Sequence, residues 1–240
     1  MKIDEAYNAF CVGAQPMLCD TSLGEDIPHP LPRGHFAWTI CGKPGSGKSS
    51  YLISLLTGKG SSKAYRKVFH SIYFCIPPCS RASVKNNMFK EHAPEKLFDT
   101  LDVATLTHVK ELCEADSMDD CNSLLVIDDQ TAYLKDKGVE KLLRYLIFNR
   151  RHLRLSIFIL TQSYTQIPLA IRKSFSNFTT FRPSNKKEVQ SICEELIFLD
   201  KKLQQPLMDH CFQKQHDTLY GDATSGKFYH NFNEINFSDE

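Results

Sequence analysis

The sequence predicts an α/β fold: a mostly parallel central sheet flanked by helices, with a β-hairpin at 219–229 near the end of the chain. Three observations predict it: short runs rich in Val, Ile and Phe, helix-length segments between them, and a glycine-rich loop after the first run. We expect strands near 36–41, 68–76, 123–128, 154–161 and 178–182, and helices near 47–58, 104–114, 138–150, 167–175 and 185–198.

Composition favours one folded α/β domain. The 240 residues are 42% hydrophobic and 24% charged, which excludes disordered, collagen-like and coiled-coil chains. The proline-rich run 28–34 cannot be helical inside. We therefore expect residues 1–34 to form an N-terminal arm or cap, and residues 35–240 to form the α/β domain that contains the glycine-rich loop.

No membrane span and no signal peptide are expected. Apolar runs such as 124–127 and 157–160 are far shorter than the ~20 residues that cross a bilayer, and the start of the chain is acidic. The nine cysteines are therefore expected to be reduced, and most of them to be buried apolar side chains. Their irregular spacing leaves a zinc site as a minor alternative.

The strongest motif is a phosphate-binding loop of the form G-x-x-x-x-G-K-[ST] between the first strand and the first helix. Its glycines let backbone N–H groups surround phosphate oxygens at the start of a helix. Lys48 is expected to reach the β- and γ-phosphates, and the Ser49 hydroxyl to help hold Mg²⁺. The nucleotide-binding residues expected here are Gly42, Lys43, Pro44, Gly45, Ser46, Gly47, Lys48, Ser49 and Ser50.

A pair of acids follows the apolar strand 123–127. Open α/β sheets bind ligands at the carboxyl ends of their strands, so these acids should face the phosphate loop. Asp128 is the predicted Mg²⁺ carboxylate, and Asp129 is predicted to orient or deprotonate the attacking water.

Another buried strand, near 154–161, ends at Gln162. If this strand lies between the other two, Gln162 is opposite the γ-phosphate and can sense it or place the water. An acid and a polar residue on an intervening strand define the additional-strand branch of phosphate-loop ATPases.

Together these elements resemble the FtsK–HerA superfamily of DNA-pumping ATPases, and most closely the genome-packaging ATPases of poxviruses, other large DNA viruses and virophages. The resemblance rests on the 42–49 loop, on Ile127-Asp128-Asp129, and on the run 151–164 that ends in Thr-Gln-Ser-Tyr. It extends over roughly residues 35–235. One departure is that many members carry Glu at the position of Asp129.

The resemblance implies a RecA-like ATPase that binds ATP and Mg²⁺ and packages double-stranded DNA into a capsid. It also implies a homo-oligomeric ring, expected to be a hexamer, that works with capsid or portal-vertex proteins in the virion or at a cytoplasmic virus-assembly site. In this superfamily an arginine before the glutamine strand reaches the neighbouring subunit's nucleotide. Arg151 matches that position, with Arg150 as the adjacent alternative.

The net charge of +1 results from two oppositely charged segments. Residues 141–187 hold ten cations and no acid, whereas 88–122 hold nine acids and three lysines. The basic segment either lines a DNA channel or matches acidic faces between subunits. The loop 131–138 is a second candidate for the channel.

Three other functions stay open. A GTPase is suggested by Asn185-Lys186-Lys187-Glu188, which distantly resembles N-K-x-D, although Glu replaces Asp and Thr131 stands where D-x-x-G requires Gly. A small-molecule kinase would need a lid arginine pair that is not evident. A nucleotide-binding assembly protein that does not hydrolyse is disfavoured by Asp129 and Gln162.

Overall fold

The structure is a computed structural model that describes residues 17–84 and 88–237. In these residues one sheet contains nine strands, in the order β3-β2-β4-β5-β1-β6-β7-β8-β9. The first six strands run parallel, and β7, β8 and β9 continue the sheet antiparallel. In chain order the strands are Ala37–Cys41, Ser71–Cys75, Leu97–Phe98, Ser123–Asp128, Leu155–Thr161, Asn177–Phe181, Thr218–Asp222, Lys227–His230 and Asn233–Glu234.

In the part of the chain that the structure describes, seven α-helices connect and cover these strands. In chain order, α1 to α7 are Lys48–Thr57, Pro78–Ala82, Val103–Met118, Lys137–Phe148, Leu169–Arg172, Lys186–Leu196 and Lys201–Cys211. The mostly parallel sheet with flanking helices and the C-terminal hairpin confirm the predicted fold class.

Strand β5 lies between β1 and β4, as the additional-strand arrangement requires. Ala37 of β1 pairs with Ile157, and Leu125 of β4 pairs with that same residue from the other side. The carboxyl ends of β1, β4 and β5 therefore reach one edge of the sheet together. The condition on which the role of Gln162 depended is met.

Apolar side chains cover both faces of the sheet, as expected for parallel strands buried on two sides. One cluster joins α1 to one face, and a second joins α3 and α4 to the other. A third cluster packs α6 and α7 beside the antiparallel strands. The sheet is thus a rigid support for the loops at its carboxyl edge.

The described part of the predicted N-terminal arm packs on this core. Leu23, Ile27 and Leu31 are buried in the cluster that contains α1. The Tyr65 hydroxyl donates to the Pro32 carbonyl, and the Tyr220 hydroxyl donates to the Pro30 carbonyl. Residues 1–16 lie outside the described residues, and the domain boundary at 34/35 stays a prediction.

The short elements α2, β3 and β9 were not predicted, and the structure departs from the predictions elsewhere as well. Helix α7 was not predicted, because Pro206 inside it cannot donate a helical hydrogen bond and reads as a helix breaker. The helix expected near 167–175 is the four-residue α5, preceded by the turn 164–166. The strand expected at 68–76 is limited to Ser71–Cys75. No helix among the described residues is both long and apolar enough to span a membrane.

Candidate functional site

The phosphate loop connects β1 to α1 at the carboxyl edge of the sheet. Gly47 directly precedes the helix and has a φ of 106°, a backbone conformation that residues with a side chain rarely adopt. Lys48 is 8% exposed, and its ammonium donates to the carbonyl of Gly42 at 2.7 Å and of Lys43 at 3.4 Å. The loop thus curls around a buried positive charge, which suits it to phosphate oxygens.

Ser49 and Asp128 meet at the base of this loop. The Ser49 hydroxyl donates to Asp128 Oδ2 at 2.8 Å. Burial raises the pKa of Asp128 to about 6, and the charge of Asp129 adds to that rise, whereas Ser49 and Lys48 oppose it. A hydroxyl and a carboxylate at one point are oxygen ligands of the kind that Mg²⁺ takes, so the pair fits that ion.

Asp129 points to the same edge but is exposed. Its φ of 55° places it in the left-handed region, which Asp tolerates better than most residues and which turns the chain away from β4. The Gln162 amide nitrogen lies 3.5 Å from Asp129 Oδ1. The structure therefore brings together the acid and the polar residue that the sequence placed on neighbouring strands.

Ser80 also contacts this group and was not predicted. It lies in α2, which follows β2, and its hydroxyl donates to Asp129 Oδ2 at 2.8 Å. Strand β2 is the neighbour of β4, so a polar residue just after β2 could have been suspected from the strand order. The sequence alone did not give that order.

His216 approaches the phosphate loop from the loop before β7. Its Nδ1 lies 2.7 Å from the Ser46 carbonyl oxygen, which assigns the ring proton to Nδ1. A Cβ at Gly47 would be 3.2 Å from the same nitrogen. No motif marks this histidine, since it is far from the loop in sequence.

Arg151 and Arg150 differ sharply in their surroundings. Arg151 is exposed and its guanidinium pairs with Asp20 at 2.7 Å. Arg150 donates from Nε to the His35 carbonyl at 3.1 Å and from a terminal nitrogen to the Ile147 carbonyl at 2.9 Å. Arg150 therefore stabilises the turn before β5. Arg151, by contrast, has a guanidinium that a neighbouring molecule can contact.

A family model described as "Poxvirus A32 protein" matches residues 29–215 of this chain. The chain belongs to the poxvirus A32 protein family. This membership confirms the resemblance predicted from the sequence, and with it the assignment of the chain as a P-loop ATP hydrolase of the viral genome-packaging class. No curated protein sequence matched the chain.

Solved structures with a similar fold include viral packaging enzymes. The DNA-packaging ATPase B204 of Sulfolobus turreted icosahedral virus has a TM-score of 0.61 at 14% identity, over 85% of this chain and 98% of that chain. The genome packaging NTPase B204 of Sulfolobus turreted icosahedral virus 2, in complex with ATP-γ-S, has a TM-score of 0.57 at 15% identity, over 82% and 96%.

A second kind of neighbour is the cytoplasmic domain of the Thermomonospora curvata type VII secretion ATPase EccC. Its TM-score is 0.53 at 13% identity, over 86% of this chain and 24% of the longer one. At these identities the likenesses show the fold alone.

In this A32 family member the segment that suggested a GTPase has a different use. Asn185 caps α6, because its side chain accepts a hydrogen bond from the Glu188 amide at 2.9 Å. Glu188 is 2% exposed and faces inward, so it does not present a carboxylate to a guanine base. The geometry gives the GTPase hypothesis no support.

Several cations of the basic segment 141–187 already have partners within the chain. Arg154 pairs with Asp120 and Arg172 pairs with Glu195 at 2.9 Å, in addition to the contacts of Arg150 and Arg151. A continuous basic face made of all ten cations is therefore not formed. The exposed cations of the segment, apart from Arg151, are Lys141, Arg144, Lys173, Arg182, Lys186 and Lys187.

No group of three His, Cys, Asp or Glu side chains suited to a metal ion occurs in residues 17–84 and 88–237. Cys41, Cys75, Cys113, Cys193 and Cys211 are buried free thiols, and Cys11 lies outside the described residues. Burial raises the pKa of Cys75 to about 12, so this thiol stays protonated at neutral pH.

Proposed function

We propose that this chain is an ATP-driven translocase of double-stranded DNA that packages a viral genome while assembled as a homo-oligomeric ring. The observation that carries the proposal is Gln162 beside Asp129, directly after the strand β5 that lies between β1 and β4. This arrangement suits hydrolysis coupled to movement. The structural relatives named as packaging enzymes support the same direction.

The residues divide the work of hydrolysis between them. Lys48 and the loop amides bind the β- and γ-phosphates of ATP. Ser49 and Asp128, which meet at 2.8 Å, would hold Mg²⁺, and the ion would neutralise charge on the phosphate oxygens. Gln162 orients the attacking water, and Asp129 takes its proton as the bond from the γ-phosphate to ADP breaks. Binding of an ATP analogue by a B204 structure supports ATP as the nucleotide.

Arg151 acts on the nucleotide of the neighbouring subunit in this proposal. It precedes the amino end of β5, whereas the phosphate loop follows the carboxyl end of the parallel strand β1. It therefore cannot reach the phosphates of its own subunit. A guanidinium that acts in trans is worth ~10³–10⁵ in rate and makes hydrolysis depend on assembly.

Ring size, partners and location rest on the family likeness. We propose a hexamer that docks on capsid or portal-vertex proteins, in the virion or at the cytoplasmic assembly site of an infected cell. Exposed Lys186 and Lys187 at the start of α6, and the loop 131–138, are the candidate DNA contacts. They would follow the phosphate backbone without reading bases.

The decisive experiment compares ATP hydrolysis with and without duplex DNA, alongside native mass. We expect stimulation by DNA, a ring-sized mass, and loss of hydrolysis in Lys48→Ala. The exposed Lys59→Ala, at the end of the same helix, is the matched control and should keep full activity. Full activity in Lys48→Ala, or a strong preference for GTP, would overturn the proposal.

Mixing two inactive variants tests Arg151. Each subunit of Arg151→Ala keeps an intact phosphate loop, and each subunit of Lys48→Ala keeps the arginine. Recovery of activity in mixed rings is expected if the arginine acts in trans. Folded mixed rings that stay inactive would remove Arg151 from the mechanism.

The DNA contacts are tested by salt dependence. Replacing both Lys186 and Lys187 with Ala should reduce the slope of log affinity against log salt by about 2, since each lysine neutralises one phosphate. Replacing Lys141 on α4 is the comparison on a distant helix. An unchanged slope for the double variant would exclude the start of α6 from the DNA path.

A further inference from the structure

Glu188 is a buried acid that the proposed mechanism does not use. It is the third residue of α6, where a glutamate often turns back to the helix cap. Its carboxylate instead accepts from the Tyr164 backbone amide at 2.8 Å, from the Cys41 thiol at 3.4 Å and from the Ser184 hydroxyl at 3.0 Å. A buried carboxylate needs such partners, because leaving it unpaired is costly.

The three partners belong to three different strand ends. Cys41 ends β1 and directly precedes the phosphate loop, Tyr164 comes two residues after Gln162, and Ser184 follows β6. One carboxylate therefore joins the start of the phosphate loop to the segment that carries the water-orienting glutamine. On the other side of Gln162, the Thr161 carbonyl accepts from the Gly42 amide at 3.1 Å, so Glu188 adds a second link on the Tyr164 side.

Helix α6 also contacts the same segment through a second glutamate, Glu195. The Tyr164 hydroxyl donates to Glu195 Oε2 at 3.2 Å, and Glu195 also pairs with Arg172 at 2.9 Å. The Arg172 guanidinium lies 5.1 Å from the centre of the Tyr164 ring. Tyr164 is 1% exposed, so these contacts fix both its backbone and its side chain.

We propose that Glu188 is a positioning residue that holds Gln162 at a fixed place relative to the phosphate loop, an inference that rests on the hydrolytic role proposed for Gln162. Glu188 is buried and bonds Tyr164, Cys41 and Ser184, so its proposed role is indirect. It sets the geometry of Gln162 and the phosphate loop, and misplacement by 1 Å at such a site can cost about 10²-fold in rate.

A double-mutant cycle tests this on the full-length ring with DNA present. Glu188→Ala should lower kcat by about 10- to 100-fold while KM for ATP stays within about threefold. In a Gln162→Ala background the same change should lower kcat by less than about threefold further. Equal losses in both backgrounds would overturn the proposal, because Glu188 would then act independently of Gln162.

Conservative variants separate positioning from general stability. Glu188→Gln can accept from the Tyr164 amide and donate to Ser184, so kcat should return to within about threefold of wild type. Glu188→Asp keeps the charge but is one methylene shorter, so it should lower kcat as Glu188→Ala does. It replaces the alanine variant in the double-mutant cycle if that variant does not fold. Glu194→Ala, an exposed acid of the same helix, is the control.

Amide hydrogen exchange gives a readout that does not need catalysis. The Tyr164 amide should exchange at least about tenfold faster in Glu188→Asp than in wild type, because its acceptor is withdrawn. Unchanged exchange would overturn the positioning role even in an active enzyme. If wild type does not hydrolyse ATP, the proposed function fails, and the exchange result still decides whether Glu188 holds this segment.

Discussion

The Ser80 hydroxyl donates a hydrogen bond to Asp129 Oδ2 at 2.8 Å and so joins α2, the helix after β2, to the residue that follows β4. Asp129 is exposed and stands on a left-handed backbone, so its own strand does little to fix its side chain. Ser80 on one side and Gln162 on the other define where this carboxylate points.

Replacing Ser80 with Ala should lower kcat about tenfold with little change in KM, because one hydrogen bond to a charged group contributes roughly 1.5 kcal/mol. Steady-state ATPase kinetics measure both constants. Ser83→Ala is the control, since Ser83 donates to the Ser80 carbonyl and not to Asp129. A rise in KM with unchanged kcat would mean that Ser80 contributes to binding and not to catalysis.

His216 should affect nucleotide binding more than the chemical step. Its ring donates a hydrogen bond to the Ser46 carbonyl and limits the space beside Gly47. It therefore stabilises the conformation of the phosphate loop. We expect His216→Ala to raise KM for ATP about 5- to 10-fold. Gln215→Ala, at the exposed position before it, should leave KM unchanged, and an effect there would point to the whole loop instead.

Arg150 and Arg151 should separate stability from activity. Arg150→Ala leaves the His35 and Ile147 carbonyls without their donor and should lower the free energy of unfolding by about 2–4 kcal/mol. Arg151→Ala removes an exposed ion pair and should change it by less than about 1 kcal/mol. Chemical denaturation measures both, and a large loss for Arg151→Ala would assign that residue a structural role.

His35 should make the protein sensitive to acid. Burial lowers the pKa of His35 from 6.5 to about 4, with the charges of Arg154 and Arg150 adding to the shift. Above pH 6.5 the imidazole is neutral in both the folded and the unfolded chain, and the free energy of unfolding is at its highest. As the pH falls from 6.5 through 4, the unfolded chain takes up the proton first and this stability is lost. The loss amounts to about 3 kcal/mol, since one pKa unit corresponds to roughly 1.4 kcal/mol.

The measurement compares wild type with His35→Phe, whose ring fills a similar volume and does not titrate. Between pH 7 and pH 4 the free energy of unfolding of wild type should fall steadily relative to that of His35→Phe. Other titrating groups are common to both chains and cancel. A constant difference across that range would show that His35 is not held neutral by the fold.

The sequence predicted the parts of the site that are local in the chain. The phosphate loop, Asp128 and Gln162 are each recognisable from a few neighbouring residues at the end of an apolar run. Ser80 and His216 were missed because their partners are 49 and 170 positions away, and only the strand order brings them together. A charge count likewise could not reveal that Arg151 pairs with Asp20, 131 positions earlier.

The fold was predicted where one physical signal dominated. Apolar runs located the five main strands to within about three residues, because a strand buried on both faces leaves few polar positions. Helix α7 was missed because Pro206 opposes helix formation locally, whereas the packing of Leu207, Met208 and Cys211 favours it. Tertiary contacts outweighed local propensity there.

Both margins of the sheet are strands of only two residues, Leu97–Phe98 and Asn233–Glu234. Such short margins offer few unpaired backbone groups, which discourages edge-to-edge joining of chains. Within residues 17–84 and 88–237, the two outermost strands therefore offer copies of this protein little means of continuing one another's sheet. In the proposed ring, contacts made by side chains on helices and loops could slide or reorganise during each cycle without breaking a hydrogen-bonded ladder.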